Sequence, residues 1–163
     1  MRFTGAILIL TACLFGGCCA ADRLKCRAGL IQTLMQLNNA LMTELESRLP
    51  FIAELLPALA ERPAFRCLKF LREAAQHAEQ FPESWDKAVR DDKALPEEAR
   101  AVLTTIGQTL GSTTLEGQLS ALRLCEQRLT ALYTESAEYA RQKGTLCRSL
   151  GLLGGMFLVI LLI

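Results

Sequence analysis

The chain has 163 residues, of which 51% are hydrophobic and 6% aromatic, and it carries 18 basic and 17 acidic side chains. This near balance of charge, without a basic groove interleaved with aromatic residues, excludes nucleic-acid binding as a main role. Two apolar ends leave room for one domain of roughly 120 residues, and the abundance of Leu and Ala favours helices over strands.

The first apolar run extends from Phe3 to Ala21 without a charged residue. At about 1.5 Å per residue, a helix of this length approaches the ~30 Å thickness of a bilayer core. Residues 1–21 are therefore predicted to form an N-terminal transmembrane helix. The small residues Ala12, Gly16 and Ala20 are spaced for close packing against another membrane helix.

An alternative interpretation of this run is a cleaved secretion signal, because Leu10–Cys13 resembles a lipoprotein cleavage box. Lipidation at Cys13 would make the chain an extracytoplasmic lipoprotein, a sensor or an adhesin with a helical domain. Only Arg2 precedes the apolar core, the core is short, and a C-terminal anchor would be redundant. We therefore favour the uncleaved helix.

Residues 22–145 are predicted to form a helical domain in which prolines separate the elements. Its apolar residues recur at helical spacing, no strand alternation is present, and Trp85 is expected to anchor the core. The predicted helices span residues 22–47, 51–61, 64–80, 84–90, 96–110 and a long stretch from 113. The predicted fold class is all-α, a six-helix bundle flanked by N- and C-terminal transmembrane helices.

The last helix is predicted to follow a turn at Leu110-Gly111-Ser112, where Gly111 suits a left-handed position. Thr113 and Glu116 have the spacing of a capping box, which would pair free amides at the helix N-terminus. This combination marks a helix start.

The C-terminal residues 146–163 are predicted to form a second transmembrane helix, with Arg148 reaching the headgroups. Gly151 and Gly155 provide a small-residue face within it. Basic residues cluster on the inner side of both apolar runs, so residues 22–145 are expected to face the cytoplasm and the protein to reside in the cell membrane. The clusters are Arg23, Lys25, Arg27, Arg141, Lys143 and Arg148.

Catalytic and metal-binding motifs are missing from the sequence, and neither an enzymatic activity nor a cofactor is expected. No phosphate-binding loop of the GxxxxGK[ST] type is present, and the seven cysteines lack metal-site spacing. His77, the only histidine, lies among polar residues and is expected to be solvated. A redox enzyme using Cys67 or Cys125 is the rival hypothesis, but both lie on apolar stripes, which predicts raised thiol pKa values and low reactivity.

A basic strip, defined as Arg62, Arg66, Lys69 and Arg72, recurs at three- and four-residue steps along the predicted third helix. An ordinary solvated face is one interpretation, and a docking strip for an acidic partner is the other. Glu73 and Glu79 follow the strip and reduce its net charge.

Several segments together resemble the stage III sporulation protein AB family of endospore-forming bacteria. They are the N-terminal apolar run, the Leu110-Gly111 turn with Gln118 downstream, and the C-terminal tract from Arg148 to Ile163. Leu41–Glu46 and Trp85 match more loosely. Thr114 stands where the family leads us to expect an aspartate.

This resemblance implies a membrane platform within a secretion-like channel complex that connects the mother cell and the forespore during engulfment. The family is similar to the cytoplasmic domain of the inner-membrane platform protein of type II secretion and type IV pilus systems, a six-helix bundle. The implied partners are a secretion-type ATPase and other membrane proteins of the channel. The chain would couple the ATPase to the channel, as an oligomer within the complex.

Overall fold

The structure, a computed structural model, describes residues 26–47 and 51–143 together with the helical backbone onward to Leu162. These residues form helices and turns, and no strand occurs among them. The all-α class is therefore confirmed. The helices are α1 (26–47), α2 (Ile52–Glu61), α3 (Lys69–Gln76), α4 (Glu83–Asp91), α5 (Glu97–Thr109) and α6 (Leu115–Leu162).

Two units divide the chain. One comprises Leu30–Tyr133, and the other comprises Met1–Gly29 with Thr134–Ile163. The first unit contains one hydrophobic core, to which every helix from α1 to α6 contributes. Its largest fully buried side chains are Trp85, Phe70, Ile31, Leu34, Leu37, Leu41, Leu56, Leu59, Leu68, Leu71, Leu103 and Ile106.

The apolar spacing of α1 accounts for its place in this core. Residues three and four apart lie on one side of a helix, so a leucine stripe at this spacing is removed from water together. Asn38 interrupts the stripe and is nevertheless 0% exposed. Its Nδ2 donates a hydrogen bond to the backbone carbonyl of Leu122 in α6 at 3.0 Å, which joins the first and last helices of the unit.

The prediction of one continuous helix over residues 64–80 is wrong. The chain forms a short 3-10 helix at Pro63–Phe65, α3, and a second 3-10 helix at Ala78–Gln80. In one unbroken helix Phe65 and Phe70 would point about 140° apart, since each residue turns the helix by about 100°. Leu68 adopts an extended backbone instead, and both rings are thereby buried.

Trp85 lies at the centre of a tightly packed corner between α3, α4 and α5, which confirms its expected role in the core. Its Nε1 donates to the carbonyl of Leu103 at 2.8 Å. The ring of Phe70 meets the indole edge to face, with centroids 5.3 Å apart. A Cβ atom at Gly107 would lie 2.3 Å from Cδ1 of Trp85, so only glycine allows α5 to approach the indole this closely.

The predicted membrane segments stay predictions. Residues 1–21 lie outside the described residues, and only the helical backbone is described for residues 146–162. Within the described part of the chain, no helix combines the length and the apolar character needed to cross a membrane.

We expect Gly107→Ala to lower the free energy of unfolding by about 1–3 kcal/mol, since the added methyl group overpacks the contact with Trp85. The measurement is thermal and urea unfolding of the full chain, followed by circular dichroism. Gly29→Ala is the matched control: a Cβ at Gly29 meets nothing within 4 Å. Because alanine favours helix, this control is expected to stabilise α1 by roughly 0.5–1 kcal/mol. Equal effects of the two substitutions would contradict the packing argument.

Candidate functional site

The turn between α5 and α6 is built on Gly111, which confirms the left-handed conformation expected there. Gly111 has φ +74°, in the region that side chains with a Cβ rarely adopt. A Cβ atom would also approach Cδ1 of Ile52 to 2.7 Å, so the turn is packed against the start of α2. Leu110, which precedes the glycine, is buried.

Gln118 ties this turn to the first turns of α6. Its Oε1 accepts a hydrogen bond from the backbone N–H of Gly111 at 3.2 Å. Its Nε2 donates to the carbonyl of Thr113 at 2.8 Å. One side-chain amide therefore satisfies two backbone groups that no helix would pair, which fixes the angle at which the chain enters α6.

The predicted capping box of Thr113 and Glu116 is wrong by one residue. α6 begins at Leu115, and the hydroxyl of Thr114 accepts the hydrogen bond from the N–H of Gly117 at 3.3 Å. Glu116 is exposed in the first turn, where its charge complements the helix dipole. Aspartate and threonine side chains both cap helices through an oxygen, so Thr114 supplies the function expected of an aspartate there.

The basic strip does not lie along a single helix, contrary to the sequence prediction. Arg62 caps the C-terminus of α2, Arg66 lies in the following turn, and Lys69 and Arg72 belong to α3. All four side chains are exposed. Arg62 forms an ion pair with Glu44 of α1. The strip is therefore a surface built from two helices and a turn.

An acidic groove lies between α3 and α4, next to the basic strip. We define the groove by Glu73, Gln76, His77, Glu83 and Asp91, which line it together with Gln80, Ser84, Lys87 and Ala88. The groove encloses about 550 Å³. The negative charges of its three carboxylates outnumber the single positive charge of Lys87, so the groove has a net negative charge. His77 is exposed at its edge, as expected.

The thiols Cys67 and Cys125 occupy different environments. Cys125 is 2% exposed, and its burial raises the pKa of the thiol, against a lowering effect of the Arg128 charge. This confirms the prediction for Cys125. Cys67 is exposed in the turn before α3, so its predicted place on an apolar stripe is wrong. Its Sγ lies 3.8 Å from the carbonyl oxygen of Ala64.

The residues proposed for membrane packing fall outside the described side chains. Ala12, Gly16 and Ala20 precede the described residues altogether. Gly151 and Gly155 belong to the α6 backbone beyond the last described side chain. Among the described residues, no group of three or more His, Cys, Asp and Glu side chains is arranged to hold a metal ion.

Sequence reasoning missed the buried amide of Asn38, although a signal was present. Ile31, Leu34, Asn38, Leu41 and Leu45 alternate at three- and four-residue steps, which is the pattern of helices that pack along a seam. A polar residue at one such position often specifies register. Gly107 had no comparable signal, because its contact with Trp85 depends on tertiary packing.

The described residues form a helical domain whose surface carries the basic strip and the acidic groove. A family model, stage III sporulation protein AB, matches residues 2–163. The chain belongs to this family of sporulation proteins. A comparison with curated proteins and with solved structures finds no match.

We expect Gln118→Ala to lower the free energy of unfolding by about 1–2 kcal/mol, because two hydrogen bonds that fix the turn are lost. Thermal unfolding of the full chain measures the effect. Glu116→Ala, in the same helical turn, is the matched control and is expected to cost less than about 0.5 kcal/mol. The bridging role of Gln118 would be refuted by a smaller loss at Gln118 than at Glu116.

Proposed function

We propose that the chain is a membrane platform component of a sporulation channel complex between mother cell and forespore. In this role it couples a cytoplasmic secretion-type ATPase to the membrane-embedded parts of the channel. Membership in the stage III sporulation protein AB family supports the sporulation role. The platform role is a more specific proposal than the sporulation role. It is supported by the helical fold and by the family's resemblance to secretion platform proteins.

The observation that carries the proposal is the buried hydrogen bond between Asn38 and the Leu122 carbonyl. α1 and α6 are the helices that lead towards the two apolar ends of the sequence. A platform must pass force between partners on its soluble domain and the membrane segments. Joining the two outgoing helices by a buried polar contact suits this task, because it resists sliding of one helix along the other.

Arrangement in the membrane follows from charge. The basic residues beside each apolar run support an orientation with residues 22–145 in the cytoplasm and both chain ends across the membrane. In this orientation the basic strip and the acidic groove are available to cytoplasmic partners. The domain acts by contact, and no catalytic step is assigned to it.

The test is affinity purification of the tagged full chain from sporulating cells, and we expect the secretion-type ATPase to be recovered with it. The control is an unrelated membrane protein with the same tag and a similar abundance. Detergent extracts from cells that are not sporulating provide the background. Recovery of the ATPase no greater than with the control protein would count against the platform role.

Labelling of the exposed thiol of Cys67 can separate the platform proposal from the lipoprotein alternative. A variant retaining Cys13 and Cys67, with the other cysteines changed to alanine, is expressed in cells that are then converted to protoplasts. We expect a membrane-impermeant maleimide to label Cys67 only after detergent is added, because the domain faces the cytoplasm.

Cys67→Ala in the same background identifies the labelled site. Mass spectrometry of the N-terminus is the companion measurement, and an unmodified Cys13 is expected. Labelling of Cys67 in intact protoplasts, together with a lipidated Cys13, would replace the platform proposal by the extracytoplasmic one.

A further inference from the structure

Charge is segregated along the segment from Arg62 to Glu83. Residues 62–72 contain four basic side chains and no acidic one, whereas residues 73–83 contain three acidic side chains and neither Lys nor Arg. We call these stretches the basic block and the acidic block. Their formal charges at neutral pH are +4 and −3, with histidine neutral. The charged members, all of them exposed, are Arg62, Arg66, Lys69, Arg72, Glu73, Glu79 and Glu83.

The two blocks are related by an antisymmetric order of charge at three of the four basic positions, whereas Lys69 corresponds to the uncharged Gln76. Arg66 lies seven positions before Glu73, and Glu79 lies seven positions after Arg72. Arg62 and Glu83 stand eleven positions from the same two residues. The midpoint falls between Arg72 and Glu73, in the middle of α3.

α3 presents the midpoint of this pattern on an exposed face. Lys69, Arg72, Glu73 and Gln76 lie three, four and seven positions apart, which places them on one side of a helix. All four are exposed. The opposite side of α3 packs into the core through Phe70, Leu71 and Ala74, each 0% exposed. The helix is therefore held rigidly with its charged face towards solvent.

We propose that two copies of this chain pair through their α3 faces about a two-fold axis, with the helices antiparallel. The basic block of each copy then meets the acidic block of the other. A two-fold axis near the midpoint brings Arg72 of each copy towards Glu73 of its partner, and the flanking blocks follow. The pairing identifies the acidic partner of the basic strip as a second copy, and it requires neither the ATPase nor the channel.

A second copy fits this surface because both halves of the complementarity occur side by side on one chain. Two-fold contacts are self-complementary, and they are the commonest form of association between identical subunits. The acidic groove contributes a concave surface beside the acidic block, into which long basic side chains of the partner can reach. Arg62 is already engaged by Glu44, so Arg66, Lys69 and Arg72 carry the contact.

The strength of the pairing follows from its polar character. Exposed ion pairs contribute less than about 1 kcal/mol each, and two-fold symmetry duplicates every pair. Salt screens such pairs, so association weakens as ionic strength rises through the physiological range. Confinement in a membrane or micelle raises the local concentration and favours the paired state.

The experiment measures self-association of the purified full chain in detergent micelles by analytical ultracentrifugation at low and high salt. A basic-block variant (Arg66→Glu, Lys69→Glu, Arg72→Glu) and an acidic-block variant (Glu73→Lys, Glu79→Lys, Glu83→Lys) are compared with the wild type. We expect each variant alone to associate about ten-fold more weakly or worse, because like charges then face each other. An equimolar mixture of the two variants is expected to restore association.

Carbodiimide cross-linking of a mixture of unlabelled and ¹⁵N-labelled wild-type chains locates the contact. We expect Lys69 of one copy to be joined to a carboxylate of the other copy's acidic block. The matched control is Arg90→Glu, Lys93→Glu, Arg128→Glu, which reverses three exposed charges elsewhere and is expected to associate like the wild type. Circular dichroism verifies that every variant is folded.

Three outcomes would overturn the proposal: a wild-type chain that stays monomeric in micelles at low salt, block variants that associate as strongly as the wild type, or a mixture that fails to restore association. Loss of ATPase recovery in the basic-block variant with unchanged self-association would assign the strip to the ATPase instead. Failure of the pairing would leave the platform proposal intact, since the ATPase recovery experiment tests that role separately.

Discussion

The side-chain amide of Asn38 is completely buried between α1 and α6, and it donates to the Leu122 carbonyl across 84 positions of sequence. An amide in an apolar interior costs about 1–3 kcal/mol when it is left unpaired. Leucine at this position would tolerate several offsets between the two helices. Asn38 tolerates only those in which its N–H groups reach an acceptor, so it sets the register of α1 against α6.

The rest of the unit depends on this register because α1 and α6 contribute to the same core as the four helices between them in sequence. Only the Nδ2 group of the Asn38 amide is hydrogen-bonded, because its Oδ1 has no hydrogen-bond partner among the described residues. The apolar side chains around the amide therefore provide stability, whereas the amide selects one arrangement among those that burial alone would allow.

The sequence was sufficient for the elements of the fold and insufficient for their details. Leucine spacing and proline positions predicted α2, α4 and α5 to within one or two residues, because burial of one helical face is a local pattern. The break before α3 was not predictable, since it depends on the tertiary packing that buries both Phe65 and Phe70 in the core. The start of α6 was misassigned because Thr113 and Thr114 have equal capping chemistry. Gln118 acts through a turn geometry that periodicity does not encode.

The surface was predictable to a similar degree. Segregation of basic and acidic residues along positions 62–83 is visible in the sequence, but the strip was expected on one helix. The structure distributes it over α2, a turn and α3, and it adds the groove between α3 and α4. The interruption of the helix at Leu68 determines which charged residues share a surface. A small departure from helical backbone in the core thus determines how the outside of the domain is arranged.

The corner around Trp85 has a practical consequence. The chain contains one tryptophan, and its indole is buried against Phe70, hydrogen-bonded to Leu103 and pressed against Gly107. Its fluorescence therefore comes from a single known place where α3, α4 and α5 meet. An emission spectrum that moves to longer wavelength while helicity persists would signal water entering this corner alone. The protein thus carries its own optical probe of the packing beneath the charged face of α3.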